Sequence, residues 1–355
     1  MPLAMRTVCG CLALLLFAAV SGRAELSLTG ALRNDAAWIA LDSGGHFVNL
    51  LENRWVVENR TDAWRFYGDL RVWALASPDL PLEISEAFAV RIPRAFVRYL
   101  SELGVFSLGK TYAAFGLLGV FNPFELDQSV NVADLGYVKQ GLLGLTWELG
   151  LGDLSGLQAF VSPEGNSQTT AAGLGLNTHA LGFDAGLVVL RRGTGQNQAG
   201  LFLKGDLEVE VQASAAWHAD DQGKNGYGEA VAGLDYSLSD GEWLFGVQYA
   251  FQERAAARKT DQAASVLSGT SMFNGKQYIY GWLQYLPDQF FQARCDAFWN
   301  VEDRSSLVVP SATWVLADGL SATLLGMIPT GPGRAEFGHE SLGRAALDAR
   351  VEAKF

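Results

Sequence analysis

The chain has 355 residues, of which 49% are hydrophobic, 18% are charged and 40 are glycine, and its formal net charge is −12. Disorder is excluded because a disordered chain needs low hydrophobicity and high charge. A long helical array is excluded because each glycine costs about 1 kcal/mol in a helix relative to alanine. An acidic chain is also a poor partner for nucleic acid, so none is expected. The composition favours strands.

The N-terminus has the parts of a secretory signal peptide. A basic residue precedes an apolar run over residues 8–20, and the small residues Gly22 and Ala24 follow it at the spacing of a cleavage site. The run is shorter than the about 20 residues that a spanning helix needs. We therefore predict a cleaved signal peptide over residues 1–24 and a single domain over residues 25–355.

Strict two-residue alternation marks the C-terminal segment. Apolar residues occupy every second position from Leu347 to Phe355, and charged residues occupy the positions between them. The same period recurs over residues 206–217 and 242–253. Such a period predicts strands with one apolar and one polar face, and an ordinary strand of a soluble sandwich would also fit it. The terminal Phe355 resembles the last residue of the strand that bacterial outer-membrane barrels present to their assembly machinery.

Eighteen strands are predicted along the chain, with boundaries uncertain by about two to four residues. They lie near residues 26–41, 47–58, 63–76, 86–100, 103–112, 138–149, 154–162, 170–179, 181–191, 197–205, 206–217, 227–238, 242–253, 274–286, 289–301, 306–316, 319–328 and 344–355.

The connections between these strands alternate in length. Even-numbered strands end in tight turns, such as residues 60–62 and 318–319, whereas odd-numbered strands generally end in longer polar loops, such as residues 254–273. This alternation is typical of transmembrane barrels, which have short periplasmic turns and longer external loops. A sheet in lipid must also close, because unpaired edge groups cost several kcal/mol each. We predict an all-β fold, a transmembrane antiparallel up-and-down β-barrel of about 18 strands within a range of roughly 14 to 18.

A barrel of this size leaves an aqueous channel, so its function should depend on the residues that line the lumen. Arginine facing lipid would cost several kcal/mol, and we therefore expect the arginines of the early strands to line the pore. They are Arg54, Arg65, Arg71, Arg91, Arg94 and Arg98. Strict alternation would place Arg91 opposite the other two arginines of its strand, so Pro93 predicts a bulge that turns all three inward.

Two hypotheses are open for this arginine-rich wall. Glu52, Glu58 and Asp69 accompany the arginines, and one hypothesis is a solvated wall of mutually paired charges. The other is a basic ladder that faces an acidic constriction, an arrangement by which a pore orients and filters polar solutes.

The longest connection, residues 113–137, supplies the candidate for the constriction. It is unusually apolar for an exposed loop, so we expect it to fold into the barrel, where its apolar side chains would be buried. The alternative is a lid across the top or a segment that holds a partner. Four charged residues in or just before this loop complete the predicted pore lining, namely Lys110, Glu125, Asp127 and Asp134.

The stretch from Glu86 to Pro163 contains several short motifs around this loop. They are Gly109-Lys110, Phe115-Gly116, Phe121-Asn122-Pro123-Phe124 and Val161-Ser162-Pro163. The stretch resembles a group of porin-like Gram-negative outer-membrane proteins in which a strand ends in Gly-Arg-Gln and is followed by Trp-Gly and an Asn-Pro turn. This chain departs from that pattern with Lys110-Thr111 and with Phe115 in place of tryptophan. The resemblance implies a porin or transporter and names no ligand.

An enzyme is the main rival class. The histidines His46, His179, His218 and His339 fall in or beside predicted turns and loops, and none has metal-ligand or catalytic-triad spacing. We therefore expect no enzymatic activity, no metal and no cofactor. Two further alternatives are a structural or adhesive barrel with a blocked lumen and a substrate-specific channel, for example one for hydrophobic compounds.

The sequence-based prediction is an outer-membrane porin for passive diffusion of small polar or charged solutes in a Gram-negative-type bacterium. The expected partners are outer-membrane lipid, small solutes and the barrel-assembly machinery, which would bind the strand that ends in Phe355. The sequence leaves homo-oligomerisation open.

Overall fold

A computed structural model describes most of the chain after the predicted signal peptide. The described residues are 25–42, 44–77, 88–112, 115–116, 120–124, 141–163, 171–192, 195–223, 225–253, 273, 275–333 and 335–355. The predicted signal peptide over residues 1–24 lies outside them. No helix in the described part of the chain is long and apolar enough to cross a membrane.

Eighteen strands form one sheet. The first nine are β1 (Glu25–Leu41), β2 (Gly44–Arg60), β3 (Trp64–Ala76), β4 (Phe88–Ser101), β5 (Gly104–Thr111), β6 (Leu142–Gly150), β7 (Ser155–Ser162), β8 (Ala171–Ala180) and β9 (Phe183–Arg192). The other nine are β10 (Gln196–Asp206), β11 (Glu210–Asp220), β12 (Tyr227–Leu238), β13 (Trp243–Gln252), β14 (Gln277–Tyr285), β15 (Phe291–Asn300), β16 (Ser305–Ala317), β17 (Leu320–Thr330) and β18 (Ala345–Lys354).

The sheet is a closed antiparallel barrel. Each strand pairs with the next one along the chain, and β1 also pairs with β18 from Ala31 opposite Lys354 to Ala40 opposite Ala345. Closure leaves no strand edge without a hydrogen-bonding neighbour, as a sheet in lipid requires. The predicted fold class and the count of eighteen strands are confirmed.

Two ends of the barrel are distinguished by their connections. β1 begins and β18 ends at the same rim, which also carries the short turns and is called the turn end here; the opposite rim is the loop end. A single-turn helix, α1 (His339–Leu342), lies in the last loop, and a short 3₁₀ turn at Ser239–Gly241 joins β12 to β13; the sequence analysis did not predict either. Both are too short to show a helical period.

The outer face of the sheet is apolar, and aromatic pairs line its turn end. Ring centroids lie 4.4 Å apart for Trp64 and Tyr99 and 4.3 Å apart for Trp243 and Tyr285. Large apolar side chains such as Leu187 remain more than half exposed on this face. This arrangement agrees with a belt that contacts lipid between aromatic girdles.

The predicted bulge in β4 is present. Asp69 pairs with Arg94 whereas Arg71 pairs with Arg91, so two residues of β4 oppose one of β3 between these pairs. The extra residue falls at the Ile92-Pro93 step, where proline has no N–H to donate to the ladder. The bulge puts the three arginines of β4 on one face.

Candidate functional site

A continuous network of arginine and carboxylate groups covers the inner face of β18, β1, β2 and β3. Its members, called the charged network here, are Arg33, Asp35, Glu52, Arg54, Asp69, Arg71, Asp348 and Arg350. The four carboxylate side chains are at most 6% exposed. Four arginines face four carboxylates, so the formal charges in the network balance.

The network passes from strand to strand through shared carboxylates. Asp69 binds Arg54 at 3.0 Å through two hydrogen bonds and lies 3.5 Å from Arg71. Arg71 in turn lies 2.9 Å from Glu52. Across the seam, Asp35 binds Arg33 on its own strand and, at 2.7 Å, Arg350 on β18. These pairs are needed because a buried carboxylate is costly unless it is paired and hydrogen-bonded.

Three of the predicted pore-lining arginines therefore have carboxylate partners. Arg54 and Arg71 belong to the charged network, and Arg65 pairs with Glu58 at 2.9 Å. For these three, the structure matches the hypothesis of a mutually paired wall.

The arginines of β4 have different neighbours. The Arg91 guanidinium lies 3.9 Å above the Trp73 ring, and that of Arg94 lies 4.7 Å from the Tyr67 ring and 4.8 Å from the Tyr112 ring. Within the described residues, no carboxylate lies within 4.0 Å of either guanidinium. Cation–π contacts stabilise a guanidinium but do not cancel its charge.

The third arginine of β4 is intermediate between these two groups. Arg98 Nε donates to the Ser107 hydroxyl at 3.1 Å, and its guanidinium lies 3.9 Å from the Glu148 carboxylate. Ser107 is buried, the Glu148 carboxylate is partly exposed, and the ion pair with Glu148 is long. Among the described residues, the arginines of β4 that have no carboxylate within 4.0 Å are therefore Arg91 and Arg94.

The apolar part of the long loop folds into the barrel, as predicted. Its described residues, 115–116 and 120–124, are called the inner segment here. Phe115 and Phe124 are 2% and 0% exposed and pack against the inner face of β7 to β11, including Phe160 and Phe202. Burial of these rings removes apolar surface from water, which stabilises the folded-in position.

Inward-facing glycines of the wall make room for these rings. A Cβ at Gly173 or Gly175 would come within 2.8 Å of Phe115, and one at Gly200 would lie 2.7 Å from Phe124. This role was not predicted. The signal for it is glycine at alternate inward positions of strands, where larger side chains would otherwise fill the lumen.

Hydrogen bonds fix the backbone of the inner segment. Asn122 Nδ2 donates to the Phe115 carbonyl and Asn122 Oδ1 accepts from the Phe124 N–H, each at 3.0 Å. Gln198 Nε2, on β10, donates to the Pro123 carbonyl at 2.6 Å. The other side of the segment places the Phe121 ring 5.9 Å from that of Tyr278 and 4.8 Å from that of Phe273.

The remaining predicted pore-lining residues are placed differently or are not described. Glu125, Asp127 and Asp134 lie outside the described residues. Lys110 pairs with Ala95 and Leu143 in the sheet, and Leu143 is half exposed on the outer face. The register therefore groups Lys110 with outward positions, whereas the sequence analysis predicted it in the pore lining together with the charged residues of the long loop.

Two further polar clusters on the inner wall were not predicted. On β14 and β15, Arg294 binds Asp296 at 2.8 Å and lies 4.9 Å above the Trp282 ring. At the loop end, fully buried Glu336 accepts hydrogen bonds from the Tyr278 hydroxyl at 2.5 Å and from Asn300 Nδ2 at 2.7 Å. The second cluster joins residues that are far apart in the sequence, so no local pattern reveals it. In the first cluster, Arg294 and Asp296 are two residues apart, and Trp282 lies on the neighbouring strand.

Open space remains beside the charged network near the turn end. A cavity of about 610 Å³ is lined there by groups that include Arg33, Glu52, Arg54, Arg71, Glu352 and Lys354. Polar solutes and water can thus contact the charged wall, while the apolar inner segment occupies the wall formed by β7 to β15.

No protein-family model matches the chain, and no curated protein matches it in sequence. Among solved structures it is similar to OccK5 (OpdH) of Pseudomonas aeruginosa, with a TM-score of 0.61 and 11% identity over 94% of this chain and 97% of that one. It is also similar to the outer membrane protein OprD from Pseudomonas aeruginosa, with a TM-score of 0.60 and 11% identity over 93% of each chain. The Salmonella typhi OmpF complex with daunomycin gives a TM-score of 0.52 and 12% identity over 93% of this chain and 97% of that one. At these identities the similarity establishes a shared porin-like barrel fold.

Proposed function

We propose that the protein is an outer-membrane channel for passive diffusion of small polar or charged solutes, and that it favours anions. The observation that carries this proposal is the asymmetry of the inner wall. Arg91 and Arg94 lie on aromatic rings without a carboxylate within 4.0 Å among the described residues, beside a network whose charges balance. A fixed excess of positive charge on a narrow aqueous path attracts anions and repels cations.

The inner segment would form the other side of the constriction. Its aromatic rings are packed against glycines and apolar residues of the wall, and we propose that they narrow the lumen while an aqueous path remains beside the charged network. Glu125, Asp127 and Asp134 follow directly in the sequence, and we propose that they approach the same path.

The apolar loop does not favour a channel for hydrophobic compounds. Phe115 and Phe124 are almost completely buried against the barrel wall, so their rings are not available to a passing solute. The solute would instead meet guanidinium, carboxylate and hydroxyl groups.

The outer-membrane location is supported by the fold and by the C-terminal strand. One of the similar solved structures is that of a protein described as an outer membrane protein. Phe355 is 63% exposed on the outer face, and the centroid of its ring lies 5.4 Å from that of Trp55. We propose that the assembly machinery recognises this strand and that the chain is exported by a signal peptide and has no enzymatic activity.

Planar-bilayer recording tests the channel function. Refolded protein is expected to give stepwise currents. In a salt gradient, the reversal potential is expected to have the sign of an anion-selective channel. The control is the same preparation after heating, which should carry no current. A barrel that shifts in mobility on heating but passes no current would support the structural or adhesive alternative.

A further inference from the structure

The last loop, residues 331–344 between β17 and β18, carries side chains that are buried inside the loop end of the barrel. Glu336 and Phe337 are both 0% exposed. The Phe337 side chain packs with Phe298 and Leu307 on the inner face of the wall. Most loops run over the surface of a protein, so a connection with such buried side chains has a defined place in the packing.

Hydrogen bonds fasten this loop to β14, to the end of β15 and to the turn that follows it. The Glu336 carboxylate accepts from the Tyr278 hydroxyl at 2.5 Å and from Asn300 Nδ2 at 2.7 Å. The Glu336 N–H donates to Asp303 Oδ2 at 2.8 Å. A buried carboxylate is costly unless hydrogen bonds satisfy it, so these donors hold the loop in one position.

Tyr278 links the last loop to the inner segment. Its hydroxyl is held by Glu336, and the centroid of its ring lies 5.9 Å from that of Phe121. Tyr278 is 2% exposed, and in a close-packed interior its ring cannot turn without displacing its neighbours. The Glu336 carboxylate therefore fixes part of the surface on which Phe121 packs.

A second link runs through Phe273, which precedes β14. Its ring centroid lies 4.8 Å from that of Phe121 and 6.5 Å from that of Phe337, so the ring bridges the inner segment and the last loop. Its φ of 71° is in the left-handed region, which a bulky residue seldom adopts. Gln252 Nε2 donates to the Phe273 carbonyl at 2.8 Å. Backbone of this kind persists where the surrounding structure fixes it, and here the surroundings are the two loops and Gln252.

We propose that the last loop sets the position of the inner segment and that Glu336 is the positioning residue of this contact. Glu336 is fully buried, so it acts on the segment through Tyr278 and through the Phe337–Phe273 pair. Gln198 holds the opposite side of the segment, so loss of the Glu336 contact should free one edge of it. The inference rests on the proposed function, because it assigns control of the width of the channel to the last loop.

Cysteine labelling in native outer membranes tests the contact. Val120→Cys, next to Phe121, reports exposure of the inner segment in a Cys295→Ala chain, and the same chain without Val120→Cys gives the background rate. A membrane-impermeant maleimide is expected to react about tenfold faster when Glu336→Leu is added, since hydrogen bonds to a buried charged group shift a local equilibrium by that order. Glu336→Gln keeps an oxygen that accepts from both donors, so labelling should stay close to the rate with Glu336 intact.

The matched control is a change at the exposed edge of the same loop. Arg344 binds Asp42 at 2.8 Å, and Arg344→Ala should leave the labelling rate unchanged. If Glu336→Leu does not fold, Tyr278→Phe replaces it, because this change removes only the hydroxyl and should also raise the rate. An unchanged rate in the folded variant, equal rates in Glu336→Leu and Glu336→Gln, or an equal rise in Arg344→Ala would overturn the proposal.

Single-channel recording separates this inference from the channel function. The open-channel current of Glu336→Leu is expected to fluctuate between levels, whereas that of Glu336→Gln should stay steady. A barrel that passes no current in any variant but shows the difference in labelling would support the positioning role and contradict the channel function. Steady current in Glu336→Leu together with an unchanged labelling rate would overturn the positioning role.

Discussion

The arginines that face the lumen occupy two chemical settings. Arg54 of β2 and Arg71 of β3 are paired with buried carboxylates, so their charge is cancelled locally. Their main effect is to stabilise the wall of the barrel. Arg91 and Arg94 rest on Trp73, Tyr67 and Tyr112 and keep their charge. Selectivity should therefore depend on which arginine is changed, even though all of these side chains lie on the inner face.

Removal of the aromatic-backed arginines should reduce anion preference. In a salt gradient, the double variant Arg91→Gln, Arg94→Gln is expected to shift the reversal potential toward the value of a cation-selective channel. The reason is that the wall loses two positive charges, while no carboxylate among the described residues loses an arginine partner. The matched control is Arg54→Ala with Asp69→Ala, which removes a neutral ion pair and should leave selectivity nearly unchanged. An equal shift in both variants would contradict the assignment.

At the scale of elements, the inner segment depends on the strands that receive it. The rings of Phe115 and Phe124 lie over glycines of β8 and β10, and Gln198 of β10 binds the segment backbone. A loop with this many apolar side chains gains stability from burial only if the wall has space for them. Glycine content in these strands is thus linked to the width of the channel.

A larger residue in the glycine pocket should displace the inner segment. Gly175→Val would place a side chain where its Cβ alone lies 2.8 Å from the Phe115 ring. We expect the ring to move off the wall toward the lumen and single-channel conductance to fall, with recovery when Phe115→Ala is added. Gly68→Val is the control, because a Cβ at Gly68 meets nothing within 4 Å. Unchanged conductance in Gly175→Val would contradict the proposed packing.

At the scale of the whole molecule, closure and the inner segment together set the size of the lumen. Pairing of β1 with β18 fixes eighteen strands in the wall, a number wide enough for an aqueous channel. The inner segment then occupies part of that channel, because its described residues pack on the inner face of β7 to β15.

Deletion of the loop should therefore enlarge the path. A variant that lacks residues 113–137, joined by a short glycine-serine linker, is expected to keep the heat-dependent mobility of a folded barrel and to show higher single-channel conductance. Deletion of residues 255–270, between β13 and β14, serves as the control and should change conductance less. A folded deletion variant with lower conductance would exclude the constriction.

Much of the fold follows from sequence alone because a strand records its two environments in every second residue. The alternation at Leu347 to Phe355 locates a strand and its apolar face without any knowledge of its neighbours. Proline supplies a further local signal, and Pro93 correctly predicted the bulge that aligns the arginines of β4. The sequence by itself thus determined the barrel, the number of strands and the inward position of these arginines.

Only the tertiary structure decided which charges are cancelled and where the loop packs. Asp35 and Arg350 meet across the closed seam although they are 315 residues apart, and Pro123 meets Gln198 across 75 residues. Lys110 shows the same limit, because its face depends on its register with Ala95 and Leu143. Pairing depends on distances between strands, and a two-residue period carries no information about which strands become neighbours after closure.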